Sequence, residues 1–297
     1  PPKPMPLFKK RETNITYRHQ ENEFIDFKIQ PLLPRAYSTQ GPALAMGDIN
    51  DDGHNDIYLG GAKGQAGELW VNMSENKYKK LTIPDFIQDA GSEDVDAIFF
   101  DADKDKDLDL YVVSGGYEFE QEDKALQDRL YINDGHGMFK KRPGTLPENL
   151  ISGSCVRPAD FDGDGDMDLF VGGRLIPGRY PENPKSSILI NNGKGIFADS
   201  GDKTSSSLGM VTDAVWTNLN SDNLPDLVVV GEWTSVQFLV QEKGSLIDRS
   251  NVFFKGKLNG WWNCIVQADI DHDNDLDLII GNAGLNNQMK PTSDEPV

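Results

Sequence analysis

The chain is poor in the residues on which several kinds of protein depend. Its 297 residues include two cysteines, Cys155 and Cys264, too few for a small fold stapled by disulfides. Four histidines offer no His-centred triad, and neither a nucleophile elbow nor a phosphate loop is present. No apolar run approaches the roughly 18 to 20 residues of a membrane span. Basic residues number 29 against 48 acidic ones, a net charge of −19. That balance argues against nucleic acid, whose phosphates select Lys and Arg, and against an anionic membrane surface. Apolar stripes of period 3.6 over ten or more residues are missing, which excludes a helical solenoid. No signal-peptide pattern opens the chain, and the Pro-rich residues 1–6 read as an extended linker. The sequence therefore reads as a processed or trimmed piece of something longer.

What is present in excess is Asp, and it recurs in register. Five segments share one layout: GDINDDGHNDIYLGG from Gly47, FDADKDKDLDLYVVSGG from Phe100, ADFDGDGDMDLFVGG from Ala159, TNLNSDNLPDLVVVGE from Thr217 and ADIDHDNDLDLIIGN from Ala268. Their first ligand positions are separated by 53, 59, 58 and 51 residues, which is a repeat and not chance clustering. The loops cover 48–56, 101–109, 160–168, 218–226 and 269–277. A short mixed segment such as ALAM or AIFF precedes each loop, and a β-rich apolar run follows it. A third element then recurs as LWVN, LYIN, ILIN and VQFLV. It leads through turns such as NDGHG and NNGKG to a fourth: KYKKL, MFKKR, IFADS and LIDRS. Asn, Asp and Gly in those turns suit the positive φ of a hairpin. Four short antiparallel strands in about 50 to 60 residues make a propeller blade. The expected fold class is an all-β propeller of four-stranded antiparallel blades, with about five present. PLFKKRETN, from Pro6, looks like the fourth strand of a blade, donated to close a ring. The fifth unit holds only two strands before PTSDEPV, so further blades are expected outside this sequence.

The loop pattern is D/N-x-D/N-x-D-x-x-x-D, with oxygen ligands two residues apart around a tight turn. Side chains at positions 1, 3, 5 and 9 and the backbone carbonyl of position 7 suit a calcium ion, which takes about six to eight oxygens. The expected ligands are Asp48, Asn50, Asp52 and Asp56; Asp101, Asp103, Asp105 and Asp109; Asp160, Asp162, Asp164 and Asp168; Asn218, Asn220, Asp222 and Asp226; and Asp269, Asp271, Asp273 and Asp277. Up to five structural calcium ions follow. Magnesium demands a smaller octahedron. Zinc favours His or Cys, and His54 and His272 fall outside the ligand positions. An EF-hand needs Glu at position 12; here that position holds Leu59, Val112, Val171, Val229 and Ile280. The sixth position, where the turn is tightest, holds Gly53, Lys106, Gly165, Asn223 and Asn274. Gly and Asn accept positive φ readily and Lys106 does so at a cost. Loop four has the fewest carboxylates and is expected to bind most weakly.

At these residues the chain resembles the FG-GAP (VCBS-like) repeats of integrin α-subunit propellers, with DFDGDGDMDLFVGG as the shared signature. More closely it resembles the cartilage-acidic-protein-like VCBS proteins, which include surface or secreted members in Bacteroidetes-type bacteria. The segments that carry this are QPLLPRAYSTQGPALAMGD, VGGRLIPGRYPENPKSS, GMVTDAVW and GNAGLNNQMK. The resemblance implies a seven-bladed propeller, structural calcium, and an extracellular or cell-surface location, for bacteria the outer-membrane surface. Lys106 in place of Gly and the Asn pair of loop four depart from the pattern and bear on affinity.

In such propellers partners meet the face opposite the metal loops. The long loops there, from Ser114 and Gly172, offer Tyr117 and Phe119, and Arg174, Arg179 and Tyr180. Trp233, Trp261 and Trp262 lie near the same end. Exposed Arg, Tyr and Trp favour binding; the competing reading is that these aromatics pack between blades. A non-catalytic scaffold for a surface protein or glycan is the expected function. The alternatives are a lectin-like module, with Trp233 or Trp261 as a stacking platform, and a calcium-dependent polysaccharide lyase or glycosidase. For the last, Asp96 and Asp213 occupy equivalent inner-strand positions, and carboxylate pairs hydrolyse glycosides. Cys155 and Cys264, each five residues before a first ligand, are expected to be small buried core residues on non-neighbouring blades and not a disulfide.

Overall fold

A computed structural model describes residues 10, 12–74, 77–256 and 258–284. Four antiparallel four-stranded blades follow one another in the chain. Blade 1 is β1 (Leu44–Gly47), β2 (Asp56–Leu59), β3 (Glu68–Ser74) and β4 (Lys77–Leu81). Blade 2 is β5 (Glu93–Phe100), β6 (Asp109–Gly115), β7 (Arg129–Ile132) and β8 (Lys140–Lys141). Blade 3 is β9 (Ser152–Ala159), β10 (Asp168–Leu175), β11 (Ser187–Asn191) and β12 (Phe197–Asp199). Blade 4 is β13 (Met210–Thr217), β14 (Asp226–Ser235), β15 (Gln237–Glu242) and β16 (Ser245–Asp248). A fifth unit contributes β17 (Asn259–Ala268) and β18 (Asp277–Asn282), and β17 also pairs with the far end of β14. The fold is β-propeller-like.

The second strand of a blade is enclosed on both faces, so its sequence is a continuous apolar run and not an alternation. All seven residues of β6 and all eight of β10 are buried. The core is a series of slabs between consecutive blades. Tyr58 and Leu69 meet Phe99 and Leu110 between blades 1 and 2. Tyr111 and Val113 meet Val156 and Leu169 between blades 2 and 3. Cys155 and Phe170 meet Val211 and Leu227 between blades 3 and 4, and Val228 and Val230 meet Ile265 beyond them. Each such side chain contributes about 1.5 to 3 kcal/mol by leaving water. Stability is therefore built from contacts between neighbours.

Register is the same in all five units. The last residue of the first strand pairs with the Asp that begins the second: Gly47 with Asp56, Phe100 with Asp109, Ala159 with Asp168, Thr217 with Asp226, and Ala268 with Asp277. Every metal loop thus leaves and re-enters its sheet at one point.

One expectation needs correction, and another falls largely outside the described residues. Cys155 is buried, but Cys264 is exposed. Val211 of the next blade covers Cys155, whereas no described element packs on the equivalent face of β17. The strand expected from Pro6 falls largely outside the described residues, as do the linker 1–6 and PTSDEPV. The described part, 12–25, contains no strand. Asn14 exchanges two hydrogen bonds with the backbone of Tyr78 on β4, at 2.7 Å each, and so lies along the outer edge of blade 1.

Candidate metal centres and partner face

The loop backbone is shaped by its own carboxylates. The position 1 Asp accepts the N–H of position 6: Gly53 to Asp48 at 2.7 Å, Lys106 to Asp101 at 3.0 Å, Gly165 to Asp160 at 3.1 Å and Asn274 to Asp269 at 3.2 Å. The position 5 Asp accepts the N–H of position 7 in all five loops, at 2.9 to 3.0 Å. These bonds close the turn only if position 6 has positive φ. It does throughout: +83° at Gly53, +76° at Lys106, +85° at Gly165, +65° at Asn223 and +73° at Asn274. Position 4 is left-handed as well, at Asp51, Lys104, Gly163, Ser221 and His272, which the sequence pattern does not announce. Loop four departs from the others: among the described residues no such bond is made to Asn218.

In loops two and three, carboxylate oxygens of positions 1, 3 and 9 (Asp101, Asp103 and Asp109; Asp160, Asp162 and Asp168) lie within 4.8 Å of one another. In loop five the group is Asp269, Asp271 and Asp273. Loops one and four, with Asn at position 3, form no carboxylate trio this tight among the described residues. The oxygen donors suit a hard cation. The expected ligands of positions 1, 3, 5 and 9 are thus drawn into one loop each, and the tightest convergence is of positions 1, 3 and 9 or 1, 3 and 5.

The position 9 Asp does more than await an ion. Asp109 is fully buried; its Oδ2 accepts Ala102 N at 3.0 Å and its Oδ1 accepts Asn133 N at 2.8 Å. Asp56, Asp168 and Asp226 are buried in the same way and tie their loops to Asn72, Asn191 and Gln241. Burial raises the pKa of all four, Asp109 to about 7 and Asp168 to about 6.

Those third-strand amides also reach backwards. Asn133 donates to Ile49 O at 2.8 Å, Asn191 to Ala102 O at 2.8 Å, and Gln241 to Phe161 O at 2.8 Å. Each acceptor is position 2 of the preceding blade's loop. Loops two and three are linked as well by an ion pair between Lys104 and Asp166.

The opposite face lies at the far ends of the strands. Glu232 is six residues along β14 from Asp226, about 20 Å at 3.3 Å per residue. It is 1% exposed and accepts hydrogen bonds from Arg174, from Tyr37, and from Tyr180 at 2.8 Å. Arg35 approaches the same carboxylate at 3.8 Å and lies 5.3 Å from both the Tyr37 and the Trp261 ring centres. Burial first, then the neighbouring Glu232, raises the Tyr37 hydroxyl far above its usual range, and burial pushes Tyr180 up to about 12. Both phenols therefore remain protonated donors. The segment 26–38 seals this cluster: Asp26 accepts Tyr37 N and Ser38 N, and Gln30 bridges the Tyr117 hydroxyl and both backbone groups of Tyr180.

Of the expected partner residues, five gather here and their exposure differs from the expectation. Tyr117, Arg174 and Trp261 are buried, because the segment 26–38 and the Glu232 carboxylate occupy their surroundings. Tyr180 is half-buried and Arg179 is exposed, in an ion pair with Glu182. Trp233 is 47% exposed. Its indole N–H donates to the Tyr180 hydroxyl, and its ring lies 5.5 Å from Trp261. Trp233 has φ +60° and sits at a break in the β14–β17 register. Sequence reasoning missed Glu232 and Arg35; the only sign was Glu replacing Gly at the end of LVVVGE.

Asp96 and Asp213 do not form a free carboxylate pair. Arg157 from the blade between them contacts both, and each also accepts a backbone N–H of the following blade, from Val156 and Ile265. They act as inter-blade ties.

Four-stranded units, Asp-rich loops between their first and second strands, and slab-like cores define a β-propeller-like repeat protein. The FG-GAP-like repeat family matches residues 101–171 and 218–280, so the chain carries FG-GAP-like repeats. Among curated proteins none is significantly similar in sequence. Among solved structures, one neighbour is a lectin from Agrocybe aegerita, described for specific recognition of non-reducing terminal N-acetylglucosamine. It is 18% identical with a TM-score of 0.48, over 82% of this chain and 60% of that one. Saccharomyces cerevisiae Sqt1 is 12% identical with a TM-score of 0.48, over 78% and 54%. The Vibrio cholerae biofilm matrix protein Bap1 is 15% identical with a TM-score of 0.41, over 82% and 35%. The chain thus spans between about a third and three fifths of the structures it matches.

Proposed function

We propose that this chain is a non-catalytic, calcium-stabilised binding module of the cell surface or extracellular space, and that it holds a carbohydrate-bearing partner on the face opposite its metal loops. The observation that carries the reading is Trp233. A bulky aromatic residue at positive φ is costly and persists where the surroundings enforce it, which occurs at functional sites. A register break that re-aims a side chain at a sheet end is a related device. Here the result is a half-exposed indole held by Tyr180 and backed by Trp261, with the Arg35 guanidinium beside it. A flat apolar ring next to hydrogen-bond donors suits the face of a sugar. Two buried donors beneath it, Arg174 Nη1 and Trp261 Nε1, have no acceptor among the described residues, and a ligand oxygen would supply one.

Calcium would serve the loops structurally, held by the side chains of positions 1, 3, 5 and 9. It offsets the repulsion among clustered carboxylates and so becomes folding free energy. Loops of this kind fill at the high calcium concentrations found outside cells. Catalysis finds no support in Asp96, Asp213 or Glu232, whose oxygens are already engaged by Arg and backbone donors.

A glycan array probed with the intact chain in calcium tests the reading, with oligosaccharide degradation assayed alongside. The expected result is retention of defined glycans, a loss of at least tenfold in Trp233→Ala, and no cleavage. Binding unchanged in Trp233→Ala, or chain-shortening of the oligosaccharide, would overturn it.

A further inference from the structure

Almost every buried carboxylate among the described residues is matched by donors. Asp26, Asp94, Asp109, Asp128, Asp168, Asp226 and Glu232 each accept from backbone, hydroxyl or guanidinium groups. Glu93 and Glu118 are different. Glu93 opens β5 and is 0% exposed, and both its oxygens lack a hydrogen-bond partner. Glu118, from the β6–β7 loop, faces it, and both of its oxygens are likewise buried without a partner. They are the two residues, among those described, with both carboxylate oxygens in that state.

The neighbours offset the pair's charge only in part: Lys63 attracts Glu118 but makes no ion pair with it. Lys63 donates instead to the backbone oxygen of Glu118 at 3.1 Å and lies 4.2 Å above the Phe119 ring. Glu21 adds a third negative charge and is itself paired with His19 at 2.8 Å. The Gln40 backbone and the Asn22 side chain lie near without meeting hydrogen-bond geometry to these oxygens. Gly116 (φ +99°) leaves room for the Glu93 head group: a Cβ there would come 2.5 Å from Glu93 Oε2. Glu118 also borders a cavity of about 420 Å³ beside Phe24, Ile29 and Pro177, which gives access from solvent.

Leaving two buried carboxylates charged and unpaired is strongly unfavourable. Two neighbouring buried carboxylates with excess negative charge match a hard divalent cation, which Glu binds through one or both oxygens. We infer that Glu93 and Glu118 form a further calcium site, separate from the repeat loops and at the opposite end of blade 2. The ion would join the inner strand of that blade to its β6–β7 loop, and so set the position of Tyr117 at the edge of the Glu232 cluster. Burial raises both carboxyls above their usual range, and the neighbouring Glu118 charge raises Glu93 further, as expected of a site that binds an ion or a proton.

The test is the calcium stoichiometry of the intact chain by equilibrium dialysis, for wild type, Glu93→Gln, Glu118→Gln and the surface control Glu182→Gln. Both isosteric variants should bind one ion fewer than wild type and the control the same number. Retained loop-bound calcium and an unchanged circular dichroism spectrum establish that the variants are folded. Anomalous scattering from strontium-soaked crystals should show a peak between Glu93 and Glu118. Equal stoichiometry in wild type and both Gln variants would overturn the inference, and would mean that the two carboxyls share a proton. Because loop occupancy and glycan retention are read separately, this outcome leaves the Trp233 reading standing.

Discussion

The side-chain amide of Asn133, the residue that follows the third strand of blade 2, donates to the carbonyl of Ile49 inside the metal loop of blade 1, 2.8 Å away. The same side chain accepts from Gly137 N at 3.1 Å, which closes its own hairpin. A single amide thus joins a hairpin turn to the metal loop of the neighbouring blade. Asn133→Ala leaves buried backbone groups unmatched and should cost about 1 to 3 kcal/mol. Urea denaturation in saturating calcium measures this. Calcium titration should also show weaker binding at loop one, although the substitution lies in blade 2.

Lys106 occupies φ +76°, where a β-carbon is strained and glycine is not. Lys106→Gly should stabilise the chain by up to about 1 kcal/mol, because relief of strain exceeds the added flexibility of the unfolded state. Lys104 is also left-handed but forms the ion pair with Asp166. Lys104→Gly should therefore gain less than Lys106→Gly. Equal thermal midpoints for the two variants would count against this.

Chelation should lower the thermal midpoint, and added calcium should raise it with the logarithm of concentration. A site at a hundred times its Kd contributes about 2.7 kcal/mol. Loop four, with Asn218 and Asn220 in place of carboxylates, should fill last in calorimetry. Asn218→Asp should tighten it, by restoring the acceptor that the N–H of position 6 uses in the other loops. Loop four as tight as loop three in the wild type would contradict the carboxylate rule.

Asp128 is buried and accepts Tyr111 OH and Ser114 N at 2.8 Å each; burial raises its pKa to about 7. The folded state then holds a proton that the unfolded state releases near pH 4. Its contribution is fully present below that point and is lost as pH rises towards 7, with a slope of up to about 1.4 kcal/mol per pH unit. Asp128→Asn should lack this slope. The stability difference between variant and wild type, followed from pH 4 to 8 in saturating calcium, should grow in favour of the variant and then level off.

The blades and loops were legible because their determinants are local. The apolar run after each loop, and Gly or Asn at position 6, act within a dozen residues. What stayed hidden depends on distant partners. In LYIN and ILIN the final Asn looks like a strand end, since its acceptor lies 84 or 89 residues earlier. Tyr117, Arg174 and Trp261 read as candidates for exposure because nothing in their own segments signals that residues 26–38 cover them. Cys155 and Cys264 occupy equivalent positions, and only the presence of a packed neighbour distinguishes them.

The hydrogen bond from Tyr37 to Glu232 joins residues 195 positions apart. A ribosome that has released blades 1 to 3 has made every part of the Tyr37 segment and none of its anchor. Until Glu232 emerges, the rings of Tyr37 and Tyr117 and the guanidinium of Arg174 lack the carboxylate that organises them. The far face is therefore finished late in synthesis, well after the first metal loops are able to close. A nascent chain stalled before residue 232 would carry ordered blades without Glu232 or Trp233, so this face is complete only once blade 4 has been built.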